Sequence, residues 1–115
     1  MTVWELYEEI HGDFNRVIDL FEDEQIAKDF VVMFLEDDSY ENIHDAINKG
    51  DWNIAFRYVH SLKGLCTNMG FGDFSKVTME LTEQLRSKKP ISNYSCLDKF
   101  DFEYNRLIEL IKQVV

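Results

Sequence analysis

His60, Lys63 and Gly64 stand at i, i+3 and i+4 within one apolar-periodic stretch of the chain. On a helix that spacing stacks all three on a single face. An imidazole ordinarily titrates near about 6.5, so at physiological pH much of it is neutral and able to attack phosphorus through a ring nitrogen. An ammonium group one turn away can pair with phosphoryl oxygens and offset their charge. Glycine inside a helix costs about 1 kcal/mol relative to alanine. A missing side chain beside the histidine would let another protein's active site approach the ring. Each residue alone has a plainer reading: a surface histidine, a solvated lysine, a glycine relieving crowding against a neighbouring helix. Together they require three coincidences instead of one.

The element that must carry them is a helix capped by Asp51 and running to about Met69. Its apolar positions Ala55, Tyr58, Val59, Leu62, Leu65, Cys66 and Met69 form a core stripe. At about 100° per residue, His60 lies roughly 160° from Leu62 and therefore points away from that core. Asn53, Phe56, Arg57 and Thr67 fall on or near the side of His60, Lys63 and Gly64.

Helical periodicity continues on both sides. Val3–Ile10 and Asp13–Phe21 read as two short helices separated by Gly12, with Asp13 capping the second. A longer apolar series (Ile26, Ala27, Phe30, Val31, Phe34, Leu35) follows, then Tyr40–Lys49, which stops at Gly50. Asp73 is placed to cap a helix carrying Phe74, Val77, Thr78, Leu81 and Leu85 inward and halting before Pro90. Leu97–Val115 forms the last helix, with Phe100, Tyr104, Leu107, Ile108 and Ile111 on its buried side. The fold class expected is all-α: an antiparallel four-helix bundle with short additional N-terminal helices, forming one domain over residues 1–115.

Composition narrows the function classes. Net charge is −10, which argues against nucleic-acid binding. The charge is unevenly spread: residues 1–53 hold 15 acidic and 3 basic side chains, whereas residues 54–90 hold 3 acidic and 6 basic. A locally basic segment thus sits on an acidic protein. Cys66 and Cys96 form no C-x-x-C pair and read as buried free thiols of a reducing compartment. The start MTVWELYEEIHGDF has neither a basic region nor a long apolar run, and no stretch reaches the 18 or so apolar residues of a membrane span. A soluble cytoplasmic protein without membrane contact is expected. No Gly-rich phosphate loop occurs, so neither a nucleotide cofactor nor ATP-dependent kinase activity is expected.

The stretch His60-Ser61-Leu62-Lys63-Gly64-Leu65-Cys66-Thr67-Asn68-Met69-Gly70 resembles the signature of histidine-containing phosphotransfer (HPt) domains: H-x-L-K-G, small residues, and a glycine ten positions after the histidine. Gly50-Asp51-Trp52 and Ala55 resemble the family's lead into that helix, and the helical order matches over nearly the whole chain. The resemblance implies a phosphocarrier in a multistep two-component phosphorelay. His60 would accept a phosphoryl group from a receiver-domain aspartate and pass it to a second receiver. Lys63 would stabilise its charge and Gly64 would give the partner access. The receiver would bring the acidic pocket and the divalent metal, leaving this chain with no metal site or cofactor. The partners implied are response-regulator receiver domains and a hybrid histidine kinase, and a monomer is the simplest state. Thr82, where several relatives carry glutamine, and Arg86 one turn on occupy positions that face the histidine in some members. Leu65 and Cys66 are bulkier than the usual small residues and read as core substitutions. Arg57, Lys76, Phe56 and Thr67 are candidates for the docking surface, alongside a cluster of exposed apolar groups.

Three other functions compete. One is an HPt-like module that docks a receiver or other signalling protein without transferring phosphate, in which case His60 would be replaceable. Another is a generic helical adaptor. A bundle metalloenzyme would need paired Glu-x-x-His ligands, and Glu41-x-x-His44 has no second such pair. His11 and His44 read as surface or helix-end histidines, and Lys88 and Lys89 as complements to a helix C-terminal dipole.

Overall fold

Acidic caps start three of the helices. Arg16 N donates to Asp13 Oδ1 at 3.2 Å, Ile26 N to Asp23 Oδ1 at 3.0 Å, and Ile54 N to Asp51 Oδ1 at 3.2 Å. Each satisfies an amide that the helix leaves unpaired. Thr2 and Glu5 form a reciprocal capping box on the first helix. The resulting computed structural model describes residues 1–114. Among them lie α1 (Val3–Glu9), α2 (Phe14–Phe21), α3 (Glu24–Met33), a 3-10 turn (Phe34–Glu36), α4 (Ser39–Asn48), α5 (Trp52–Asn68), α6 (Gly72–Leu85) and α7 (Ser95–Ile111).

The four C-terminal helices pack in sequence: α4 on α5, α5 on α6, α6 on α7, an antiparallel bundle. Its centre holds Ala55, Val59, Leu62 and Cys66 of α5, Phe74, Leu81 and Leu85 of α6, and Phe100, Leu107 and Ile111 of α7. Helices α1–α3 cover one part of this bundle and add Leu6, Val17, Ala27 and Val31 to the same core. Phe34, just after α3, meets Phe71 and Phe74 edge-on at 5.1 and 6.1 Å between ring centroids, joining cover to bundle.

Two turns interlock at the end of α5. Asp13 N donates to Gly70 O at 3.0 Å, Asp73 N to Ile10 O at 2.9 Å, and the Tyr7 hydroxyl to Met69 O at 2.6 Å. Gly70 takes φ +59°, and a Cβ there would stand 2.5 Å from Asp13 O. The glycine ten positions after His60 is therefore fixed by a left-handed backbone and a close backbone approach.

Several expectations need correction. Tyr58 and Leu65 are not core residues: they are 39% and 36% exposed. The inward arc of α5 is narrower than its apolar stripe, and Leu65 borders an open groove with Phe30 and Met33 of α3. Ile26, Phe30 and Leu35 are likewise exposed, while Ala27, Val31 and Phe34 turn inward. Asp73 does not cap α6. That helix begins at Gly72 without a side-chain cap, and the Asp73 carboxylate instead takes His11 Nδ1 at 2.8 Å and Arg106 Nη1 at 3.2 Å. The last helix starts two residues earlier than expected and ends at Ile111; Val115 lies outside the described residues.

Candidate functional site

Because Ala55, Val59, Leu62 and Cys66 occupy the buried arc of α5, the opposite arc faces solvent. His60 is exposed there, Lys63 is half-buried and Gly64 is exposed. A Cβ built on Gly64 would meet nothing within 4 Å. Crowding against a neighbouring helix is thus not the reason for this glycine, and the space beside His60 is open. The half-buried Phe56 ring lies one turn before the imidazole, with centroids 5.6 Å apart and planes 26° from parallel. Thr67 Oγ1 donates back to Lys63 O at 2.9 Å, so its hydroxyl proton is committed to the helix. Arg57 is exposed on the far side of the face, where with Ile54, Tyr58 and Ser61 it lines a shallow groove.

Two contacts fix how α6 lies along α5. Ser75 Oγ donates to Cys66 O at 3.0 Å, and Thr82 Oγ1 approaches Val59 O at 3.5 Å. The start of α6, with exposed Lys76, therefore flanks the end of α5, and Arg86 flanks its first half. Thr82 itself is fully buried and donates to Thr78 O at 2.7 Å. It does not present a polar group to solvent beside His60, because its hydroxyl is spent on backbone carbonyls. Arg86 sits over the Phe56 ring, its Cζ 5.5 Å from the centroid, and Lys88 Nζ is 5.6 Å from the same centroid. Arg86 also forks onto Glu83, Nε to Oε2 at 3.0 Å and Nη2 to Oε1 at 2.8 Å. That hydrogen-bonded guanidinium, with Lys63 nearby as a smaller influence, holds the Glu83 carboxyl below the usual range.

An exposed imidazole, an ammonium one turn away and open space over Gly64 thus share one face, beside an aromatic ring carrying two further cations. The model of the Hpt domain family matches residues 29–115, most of the chain. The chain belongs to the Hpt family. Comparison with curated proteins and with solved structures finds no match. An Hpt domain functions in phosphotransfer within a phosphorelay and interacts with receiver domains. The match begins inside α3, so α1 and α2 lie outside it.

The remaining candidates sort by geometry. Cys66 is a buried free thiol, and burial pushes its pKa far up, which keeps it protonated and unreactive. His11 is an exposed histidine just past the end of α1, as its position suggests, and pairs with Asp73; the half-buried His44 pairs through Nε2 with Asp101 Oδ1 at 2.5 Å. Both pairings tie separate parts of the fold together, α7 to α4 in the case of His44. Among the described residues no cluster of three His, Cys, Asp or Glu side chains could hold a metal ion, and no helix is long and apolar enough to cross a membrane. Two residues of the His60 surroundings were not anticipated. Glu83 carries no motif signal of its own, only its i, i+3 spacing from Arg86. Lys88 follows the end of α6 in a left-handed conformation, φ +57°, and reaches Phe56 only through the turn that follows. A groove of about 360 Å³ along Phe30, Met33, Leu65 and Met69 also exposes apolar surface on the flank of α5.

Proposed function

We propose that His60 is the phosphoacceptor of a multistep phosphorelay, taking its phosphoryl group from a receiver aspartate and passing it to a second receiver. The observation that carries this reading is the open space over Gly64 beside an exposed imidazole, one turn from Lys63. In the forward step one imidazole nitrogen gives its lone pair to phosphorus, and the N–P bond forms as the aspartyl O–P bond breaks. The aspartate leaves with that bond's electrons, and the other ring nitrogen keeps its proton. Lys63 offsets charge on the transferring oxygens. Thr82 supports the site from below by holding α6 against the carbonyl of Val59, and Arg86 adds positive charge at the Phe56 end. Phe56, Arg57, Thr67 and Lys76, with the apolar flank at Phe30, Met33 and Leu65, form the docking surface. The basic side chains there favour encounter with a receiver's acidic pocket. A hybrid histidine kinase supplies the first receiver, and the metal that transfer requires stays with the receivers.

The test is transfer from aspartate-phosphorylated receivers of the same organism to this chain and to His60→Gln, with the phosphate located by mass spectrometry under non-acidic conditions. Acid-labile phosphate at position 60, missing from the variant, is the expected outcome. Binding by some receivers without transfer from any would move the assignment to a non-catalytic docking module. Absence of both binding and transfer across a complete panel would refute the receiver partnership itself.

A further inference from the structure

Among the cations around His60, Arg86 is already engaged in the unphosphorylated protein. Arg86 is held by both oxygens of Glu83, at 2.8 and 3.0 Å, while its guanidinium rests over Phe56. Phe56 in turn lies against the His60 ring, so the guanidinium is at most two aromatic contact steps from the imidazole. Glu83 is the acidic group joined to this set. It hydrogen-bonds Arg86 and is close enough to Lys63 to feel its charge. Half or more of each side chain in the Arg86–Glu83 pair is exposed. Such a pair is weak and readily exchanged.

We propose that Glu83 is a stand-in anion for the phosphoryl group: it holds Arg86 at rest over Phe56 and releases it when His60 is phosphorylated. This rests on His60 being the acceptor. A phosphoryl group on the imidazole brings two negative charges and three acceptor oxygens to a site where only a carboxylate stood before. Arg86 then exchanges the planar carboxylate for the tetrahedral phosphoryl group, whose oxygens accept from the same guanidinium N–H groups, while it stays over the Phe56 face. Glu83 competes with phosphohistidine for the guanidinium, and so lowers the stability of the phosphorylated form. Its presence sets how readily the group is handed on. Glu83 touches no reacting atom and acts through Arg86, as a positioning residue.

The test uses the full chain phosphorylated chemically with potassium phosphoramidate, so that it does not depend on any receiver. Phosphoramidate loses ammonia as its P–N bond breaks and the histidine N–P bond forms. His60→Gln supplies the blank for modification at His11 and His44. In the wild type the Arg86 Nε–H resonance is expected to move on phosphorylation, and in Glu83→Gln it should start displaced. Glu83→Gln should slow loss of phosphate from His60 by about two- to fivefold, the factor that corresponds to one exposed ion pair. Adding Arg86→Gln should erase that gain. An Arg86 resonance that ignores phosphorylation, or a Glu83→Gln gain that survives Arg86→Gln, would overturn the proposal. If chemical phosphorylation gives these results while no receiver transfers, the exchange stands and the relay assignment falls.

Discussion

Replacing Gly64 separates what this position does for folding from what it does for function. Its Cβ direction is empty to 4 Å, so Gly64→Ala meets no obstruction and should recover nearly the full helix-propensity difference of about 1 kcal/mol. For a domain of 115 residues that is a rise in midpoint of about 4 °C. Gly64→Gln should also be at least as stable as the wild type, since glutamine is a good helix former and its side chain has solvent to enter. Transfer should respond in the opposite sense. If a receiver packs closely over Gly64, extra side-chain atoms cost about 1–3 kcal/mol of overlap, roughly 5- to 160-fold in rate. The assay pairs thermal unfolding by circular dichroism with two phosphorylation rates, one from phosphoramidate and one from a phosphorylated receiver. Both variants should react with the small donor at the wild-type rate, whereas the protein donor should be slowed in the order Gln, then Ala. A lowered midpoint for Gly64→Ala would show that the space is not open. Wild-type rates from the receiver for Gly64→Gln would show that the opening is not used for access.

Other expectations follow from the same geometry. Gly70→Ala and Gly72→Ala should each destabilise by at least about 1–3 kcal/mol, since φ is +59° and +50° and the new Cβ would stand within 2.5 Å of Asp13 O or Ile10 O; urea midpoints equal to wild type would contradict the interlock. Asp51→Ala removes the cap of α5 and should cost about 1 kcal/mol without altering chemical phosphorylation of His60, checked by denaturation and mass spectrometry. Burial raises the pKa of Tyr7, Tyr40 and Tyr104, that of Tyr104 to about 12. These hydroxyls stay neutral in the fold after they ionise in the unfolded chain, so stability is full below about pH 10 and falls as pH rises from there. Unfolding free energies that are level from pH 9 to pH 11 would argue against this burial. Native Cys66 should resist alkylation at neutral pH and react once urea unfolds the chain; fast native labelling would mean the α5–α6 contact opens readily.

The histidine, lysine and glycine of the site could be read as one face because α-helical periodicity is local. The buried arc of α5 is filled by Ala55, Val59, Leu62 and Cys66, and nothing from elsewhere in the chain is needed to turn His60 outward. Helix starts at Asp13 and Asp51, and the stop at Gly50, are equally local, each a side chain or a φ acting within one turn. Membership of the Hpt family follows from the same spacing together with the helical order. Tyr58, Leu65 and Asp73 were misread for one shared reason. An apolar position is buried only if another element covers it, and a cap residue caps only if nothing stronger claims its carboxylate.

What surrounds the imidazole was decided by tertiary structure. Phe56 stacks on His60 by helical spacing, but Arg86 and Lys88 come from the end of α6, and their reach to Phe56 depends on the register that Ser75 and Thr82 set against α5. The same register buries Thr82, which the family resemblance had placed facing the histidine. The reason for Gly64 was open in the sequence between helix packing and access, and the empty volume along its Cβ direction removes the first. A chain pattern fixes which face a residue takes on its own helix; which charges meet across two helices depends on how those helices pack.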